Sequence, residues 1–129
     1  MSQPSSEPFQ IGAVKQIALT VKDLARATAF YRDALGLRFL FEVPGLAFFD
    51  LHGIRLMLSP GEASPREPFG TVLYYQTTDL PGAFSALHER GVKSVREPHL
   101  VAQMPDHELW MAFFEDSEGN LFGMMCEKR

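Results

Sequence analysis

From Gln16 to Val21 the chain alternates: Ile17, Leu19 and Val21 are apolar, while Gln16, Ala18 and Thr20 are small or polar. This is the period of a strand buried on one face. The period then changes. Leu24, Ala27, Tyr31 and Leu35 recur at helical spacing, behind Asp23 as an N-cap and ahead of Gly36 as a stop. The pattern predicts one strand feeding one amphipathic helix. The unit then returns. Asp23-Leu24 is matched by Asp79-Leu80, the run Val72–Thr78 again reads as a strand, and Leu80, Phe84 and Leu87 form a second helical stripe ending before Gly91.

Each strand-helix pair is followed by further strand patterns. In the first half these are Arg38–Val43, Leu46–Leu51 and Ile54–Leu58, separated by turns at Pro44-Gly45 and His52-Gly53. In the second half Val92–Arg96 reads as a short strand and Glu97–His107 as a long irregular connection. Glu108–Glu115 then reads as a strand, Asp116–Asn120 as a turn, and Leu121–Cys126 as the last strand. The turn formers around residues 60–70 make a natural linker, so the modules run from about 14 to 59 and from about 71 to 127. Two βαβββ modules in one domain, 12–129, give an α+β fold. Its eight strands and two helices are expected to form a curved sheet with the helices on one face. Residues 1–11 read as a disordered polar tail.

At 129 residues the chain is long enough to bury one core without staples. A net charge of −4, with Lys and Arg scattered, speaks against a nucleic-acid partner. No stretch is long and apolar enough to suggest a membrane span, and a lone Cys126 fits a reducing, cytoplasmic setting. Eleven Phe residues, several on predicted strands, imply aromatic surface on both strand faces. An aromatic, little-charged cleft favours an apolar or aromatic small molecule as guest.

Alternation places Gln16, Ala18 and Thr20 on the cleft side of the first strand, with Arg55, Met57 and Ser59 from the fourth and Val72, Tyr74 and Gln76 from the fifth. The candidate ligand-binding set is Gln16, Phe49, Arg55, Met57, Val72, Tyr74, His99 and Trp110. Arg55 has a competing structural reading as an ion-pair partner of Glu42 or Asp50, and Trp110 one as core or dimer contact. His52 and His88 read as solvated. His99 and His107 bracket the irregular connection, where a functional role competes with plain turn chemistry. His107 and Glu108 are candidate acid/base groups, with His99 as a third, although on one strand His107 and Glu108 point to opposite faces.

Ile17-Ala-Leu-Thr-Val21 with Asp23-Leu24, Ala29-Phe-Tyr31, Leu35-Gly-Leu37 and Asp116-Ser-Glu-Gly-Asn-Leu121 follow one another in an order that resembles the vicinal oxygen chelate superfamily. That superfamily includes glyoxalase I, bleomycin-resistance proteins and extradiol dioxygenases. The resemblance implies paired βαβββ modules curled into an open cleft, a curved eight-stranded, barrel-like mixed sheet with the helices outside, and often a homodimer. In metal-dependent relatives four side chains hold the ion, and their positions fall here on Gln16, Met57, Val72 and Gly123. Only Gln16 among them offers a suitable donor. The expectation is therefore a metal-independent small-molecule-binding protein without a cofactor. The alternative is a lyase, isomerase or dioxygenase of this type with a displaced divalent-metal or acid/base site built on Gln16 and the loop histidines. An accessory module that merely dimerises or binds a protein is a third reading, and it requires an exposed apolar patch and a closed or filled cleft.

Overall fold

The computed structural model describes residues 13–61 and 72–129; the expected tail and nearly all of the expected linker lie outside the described residues. The first module is β1 (Gln16–Val21), α1 (Leu24–Ala29) continuing into a π-helical turn (Phe30–Ala34), β2 (Arg38–Val43), β3 (Leu46–Leu51) and β4 (Ile54–Pro60). The second is β5 (Leu73–Gln76), α2 (Leu80–Glu89), β6 (Lys93–Gln103), β7 (Glu108–Glu115) and β8 (Leu121–Lys128). The α+β class and the paired βαβββ modules stand. The eight strands, however, divide into two four-stranded sheets, ordered β1-β4-β3-β2 and β5-β8-β7-β6, and the curved sheets do not close into a barrel.

Each sheet has the same logic. The first strand pairs in parallel with the last of its module, β1 with β4 and β5 with β8, because the helix carries the chain across the sheet between them. The remaining pairs are antiparallel. The β3–β4 turn takes both central residues to positive φ, His52 at 54° and Gly53 at 102°, the requirement of a tight two-residue hairpin. That turn fixes Leu51 opposite Ile54, and hence Phe48 opposite Met57 and Phe49 opposite Leu56.

Both helices begin as the sequence predicts. Asp23 accepts a hydrogen bond from Arg26 N at 3.0 Å, and Asp79 one from Gly82 N at 3.1 Å. The first helix then widens: Leu35 N donates to Phe30 O, five residues back, at 3.1 Å, and Leu37 N to Tyr31 O at 2.9 Å. In this wide turn the rings of Phe30 and Tyr31 reach aromatic partners in different modules. Phe30 meets Phe122 of β8 at 6.3 Å between ring centres, while Tyr31 meets Phe49 of β3 at 6.2 Å.

There are accordingly two cores, each between a helix and the inner face of its sheet. Val21, Ala27, Tyr31, Phe49, Leu56 and Leu58 form the first, and Leu80, Leu87, Val92, Ala112, Phe114 and Phe122 the second. The modules join at the β7–β8 turn. There the Glu118 carboxylate, on a side chain only 1% exposed, accepts from Lys22 N and Asp23 N at 2.9 Å and from Arg26 Nε at 2.7 Å. Tyr31 Oη donates to the buried Asp116 at 2.6 Å. One turn of the second module thus caps the first module's helix. No described helix is long and apolar enough to cross a membrane.

One strand departs from expectation. Residues 93–103 are not a short strand and a loop but a single 11-residue strand, β6, whose pairing with β7 shifts register at three places.

Candidate functional site

The helices and the module junction cover one face of each sheet, which leaves the other face open. On the first sheet the open face carries Gln16, Arg55 and Met57, with Phe48 and Asp50 from β3 and Phe41 from β2, as alternation and register require. Phe41 and Phe48 stack at 4.6 Å between ring centres with 27° between planes. Arg55 lays its guanidinium 5.8 Å from the centre of the Phe48 ring, a cation–π arrangement. The expected ion pair from Arg55 to Glu42 or Asp50 is not formed among the described residues. Asp50 instead lies 3.9 Å from Arg38 and accepts from Gly53 N at 2.9 Å.

On the second sheet the open face carries Tyr74, Gly123, Phe113, Met111, Met125 and His99. Tyr74 and Phe113 pack edge to face at 6.0 Å, and the His99 ring lies 6.1 Å from Phe113. His99 Nδ1 stands 2.8 Å from Glu97 O, and because a carbonyl only accepts, Nδ1 carries the hydrogen and Nε2 is left to accept from a guest.

The positions of the family's metal ligands test badly for a metal. The amide of Gln16 points its Nε2 at Met57 Sδ, 3.9 Å away, and neither Met57 nor half-buried Val72 supplies a donor a hard or borderline cation prefers. At Gly123 there is no side chain, and the space one would need is filled: an added β-carbon would lie 2.7 Å from Cδ1 of Tyr74 and 3.2 Å from Cε1 of Phe113. Among the described residues no group of three or more His, Cys, Asp or Glu side chains is placed to hold an ion.

The residues of the displaced-site alternative are not brought together. His107 sits in the β6–β7 turn with its side chain only 12% exposed, Nδ1 2.7 Å from Asp106 and Nε2 3.8 Å from Glu127. Arg129 closes this cluster by meeting Asp106 at 2.6 Å and Glu127 at 3.4 Å. The hydrogen bonds from His107 and Arg129 hold the Asp106 carboxyl below its usual range. Glu108 accepts from Trp110 Nε1 at 3.0 Å, on the helix side of the sheet. His107 and Glu108 therefore serve different partners. His99 lies four strand positions before Gln103, roughly 13 Å along the strand from the turn that holds His107.

Two candidate ligand residues fall on the wrong side. Phe49 is wholly buried in the first core, against Tyr31 and Phe39, and Phe48 takes the open-face position instead. Trp110 packs against the second core, and Phe113 and Met111 face the opening. Gln16, Arg55, Met57 and Tyr74 lie on open faces, Tyr74 47% exposed. His99 joins them as a half-buried neighbour of Phe113.

The turn that joins the modules is electrostatically the most distinctive place in the chain. Hydrogen bonding from Arg26, and then from the Asp23, Ser117 and Lys22 donors, outweighs burial and pulls the Glu118 carboxyl down to about 2. Burial first, and then the charge of Asp116, push the Tyr31 phenol far above its ordinary range. Asp116 and Glu118 were legible only as turn residues; their burial comes from the helix that they cap.

Two docked βαβββ modules with open, aromatic-lined sheet faces define the class of small α+β protein to which this fold belongs. The chain belongs to the Glyoxalase/Bleomycin resistance protein/Dioxygenase superfamily, whose family model matches residues 13–124. A glyoxylase-like domain-containing protein of Didymella fabae is 25% identical over 119 residues, covering 84% of this chain and 89% of that protein. Among solved structures, a glyoxalase/bleomycin resistance protein/dioxygenase from Alicyclobacillus acidocaldarius superposes with a TM-score of 0.74 at 19% identity, covering 89% of this chain and 91% of that one. Lactoylglutathione lyase from Agrobacterium tumefaciens gives 0.65 at 21% identity, with 89% and 93% covered. At these identities the structural likeness concerns the fold.

Proposed function

We propose that this chain is a metal-independent, small-molecule-binding member of its superfamily, whose open sheet faces hold an apolar or aromatic guest. The observation that carries this reading is the content of the four family ligand positions. One is an amide turned toward a thioether, two are Met57 and Val72, and the fourth is a glycine whose space two aromatic rings occupy. What remains on the faces is aromatic surface with a few polar anchors: Phe41, Phe48, Phe113 and Tyr74 supply flat walls, while Arg55, Gln16 and His99 Nε2 supply hydrogen bonds.

A homodimer completes this reading. The modules of one chain dock on their helix sides through Phe30, Tyr31 and Glu118, which leaves Phe41 44% and Tyr74 47% exposed on the open faces. The outer strands β2 and β6 also expose Leu40, Phe41 and Val43, and Val95, Leu100 and Val101, an apolar surface that a second copy would cover. The lone Cys126 fits a cytoplasmic setting for such a protein.

The guest is tested by titrating planar aromatic compounds of naphthalene size in chelator-containing buffer and following the methyl signals of Met57, Met111 and Met125, which line the open faces. Saturable shifts, weakened about tenfold by Phe48→Ala or Phe113→Ala, are expected. Binding that appears only after a divalent ion is added would refute the reading.

A further inference from the structure

Between the two modules, largely on their helix sides and bordered by Tyr74 and Gln76 of β5, lies a second space of about 890 Å³, within the size range of small-molecule pockets. Leu35, Leu51 and Ile54 of the first module face Leu73, Leu87 and Met124 of the second across it. Among the described residues the lining contains no Asp or Glu, although acidic residues outnumber basic ones in the chain by 16 to 12. Among the described lining residues the one full cation is Arg90, at the end of α2, which already bridges the modules by donating from Nη1 to Ala34 O at 2.8 Å. A guanidinium has five N–H donors, and none of the ion pairs formed by the described residues involves Arg90.

We propose that this inter-module cavity binds an apolar carboxylic acid, its hydrocarbon or aromatic body against Leu35, Leu51, Leu73 and Met124 and its carboxylate on the Arg90 guanidinium. The apolar walls reward an apolar body by removing both surfaces from water. An anionic head is selected by the charge balance: among the described lining residues a carboxylate meets a planar fork donor and no acid that would repel it. The cavity borders the open face of the second sheet at Tyr74, but Phe48, Met57, Phe113 and His99 are not in its lining. Because its walls come from both modules, occupancy also tightens the junction, and the bound form melts at higher temperature.

The test uses the full chain carrying ¹³C-methyl methionine, titrated with 2-naphthoate in chelator-containing buffer. Met124 reports the cavity, whereas Met57, Met111 and Met125 report the open faces. A saturable shift at Met124, with a raised melting temperature, is expected. Arg90→Gln should weaken 2-naphthoate by about tenfold or more while leaving uncharged 2-naphthylmethanol unaffected, and Arg90→Lys, which keeps the charge without the fork, should fall between. Ala86→Phe, which fills the cavity from α2, should abolish binding of both compounds. Shifts confined to Met57, Met111 and Met125 would place the acid on the open faces and overturn the cavity site alone. No shift at any methionine, or an Arg90→Gln protein that binds 2-naphthoate as well as the wild type does, would also overturn it.

Discussion

A β-carbon at position 123 would lie 2.7 Å from one Tyr74 ring atom and 2.9 Å from another, so any side chain there must displace the ring. Gly123→Ala is expected to cost about 1–3 kcal/mol by overpacking, measured by chemical denaturation. Combined with Tyr74→Ala the cost should largely vanish; an equal cost in both backgrounds would acquit the ring. Glu118 makes a second prediction at this scale. Its folded carboxyl titrates at about 2 against an ordinary 4.5, so the folded state holds the proton less readily than the unfolded chain does. The stability it contributes is full above about pH 5 and is lost as pH falls toward 2. Glu118→Gln should therefore lower stability by about 2–3 kcal/mol at neutral pH and flatten the fall in melting temperature between about pH 5 and pH 3. Parallel acid profiles for the two proteins would assign that fall to other carboxylates. The residue scale also shows where single positions were readable. Once His52-Gly53 is a two-residue turn, pairing 51 with 54 sets Phe48 beside Met57 and sends Phe49 to the core, a deduction open to the sequence. The same counting across the Asp116–Asn120 turn pairs Phe113 with Gly123 and turns Trp110 inward.

At the scale of elements, strands with clean alternation were legible and the strand without it was not. β1 alternates exposed residues with half-buried Ile17 and Leu19 and buried Val21, and β4 keeps Leu56 and Leu58 inside with Arg55 and Met57 on the other face, as their period predicts. β6 interrupts its ladder three times, and each extra residue reverses the side-chain parity, so no period survives to be read. Its Pro98 and polar residues then resemble a loop in composition. The widened turn after α1 was likewise hidden, because Leu24, Ala27, Tyr31 and Leu35 satisfy ordinary helical spacing while the backbone bond is made from Leu35 to Phe30. The outer strands carry the prediction that belongs here. If β2 helps to form the seam between two copies, Phe41→Glu should shift sedimentation from dimer to monomer without lowering secondary-structure content. A wild-type chain that sediments as a monomer at all concentrations would remove the dimer.

For the whole molecule, the repeat of one strand-helix unit was enough to give two modules, but not how they meet. Closure of eight strands into one sheet requires hydrogen bonds between β1 or β2 and a strand of the other module. Among the described residues the modules meet instead through side chains: Phe30 on Phe122, Tyr31 on Asp116, and Glu118 on the N-terminus of α1. Such contacts between residues about 90 positions apart leave no periodic trace in the sequence. The candidate site was legible in its fold-determined part, since strand parity placed Gln16, Arg55, Met57 and Tyr74 on open faces. Its chemistry was legible only by what Met57, Val72 and Gly123 lack. Metal content measured on the purified chain, with melting temperatures recorded across Zn²⁺, Ni²⁺, Mn²⁺, Fe²⁺ and Mg²⁺ with and without chelator, tests that point most directly. Less than stoichiometric metal and no ion-dependent rise in melting temperature are expected. One tightly held ion per chain that stabilises the fold would contradict a metal-independent site.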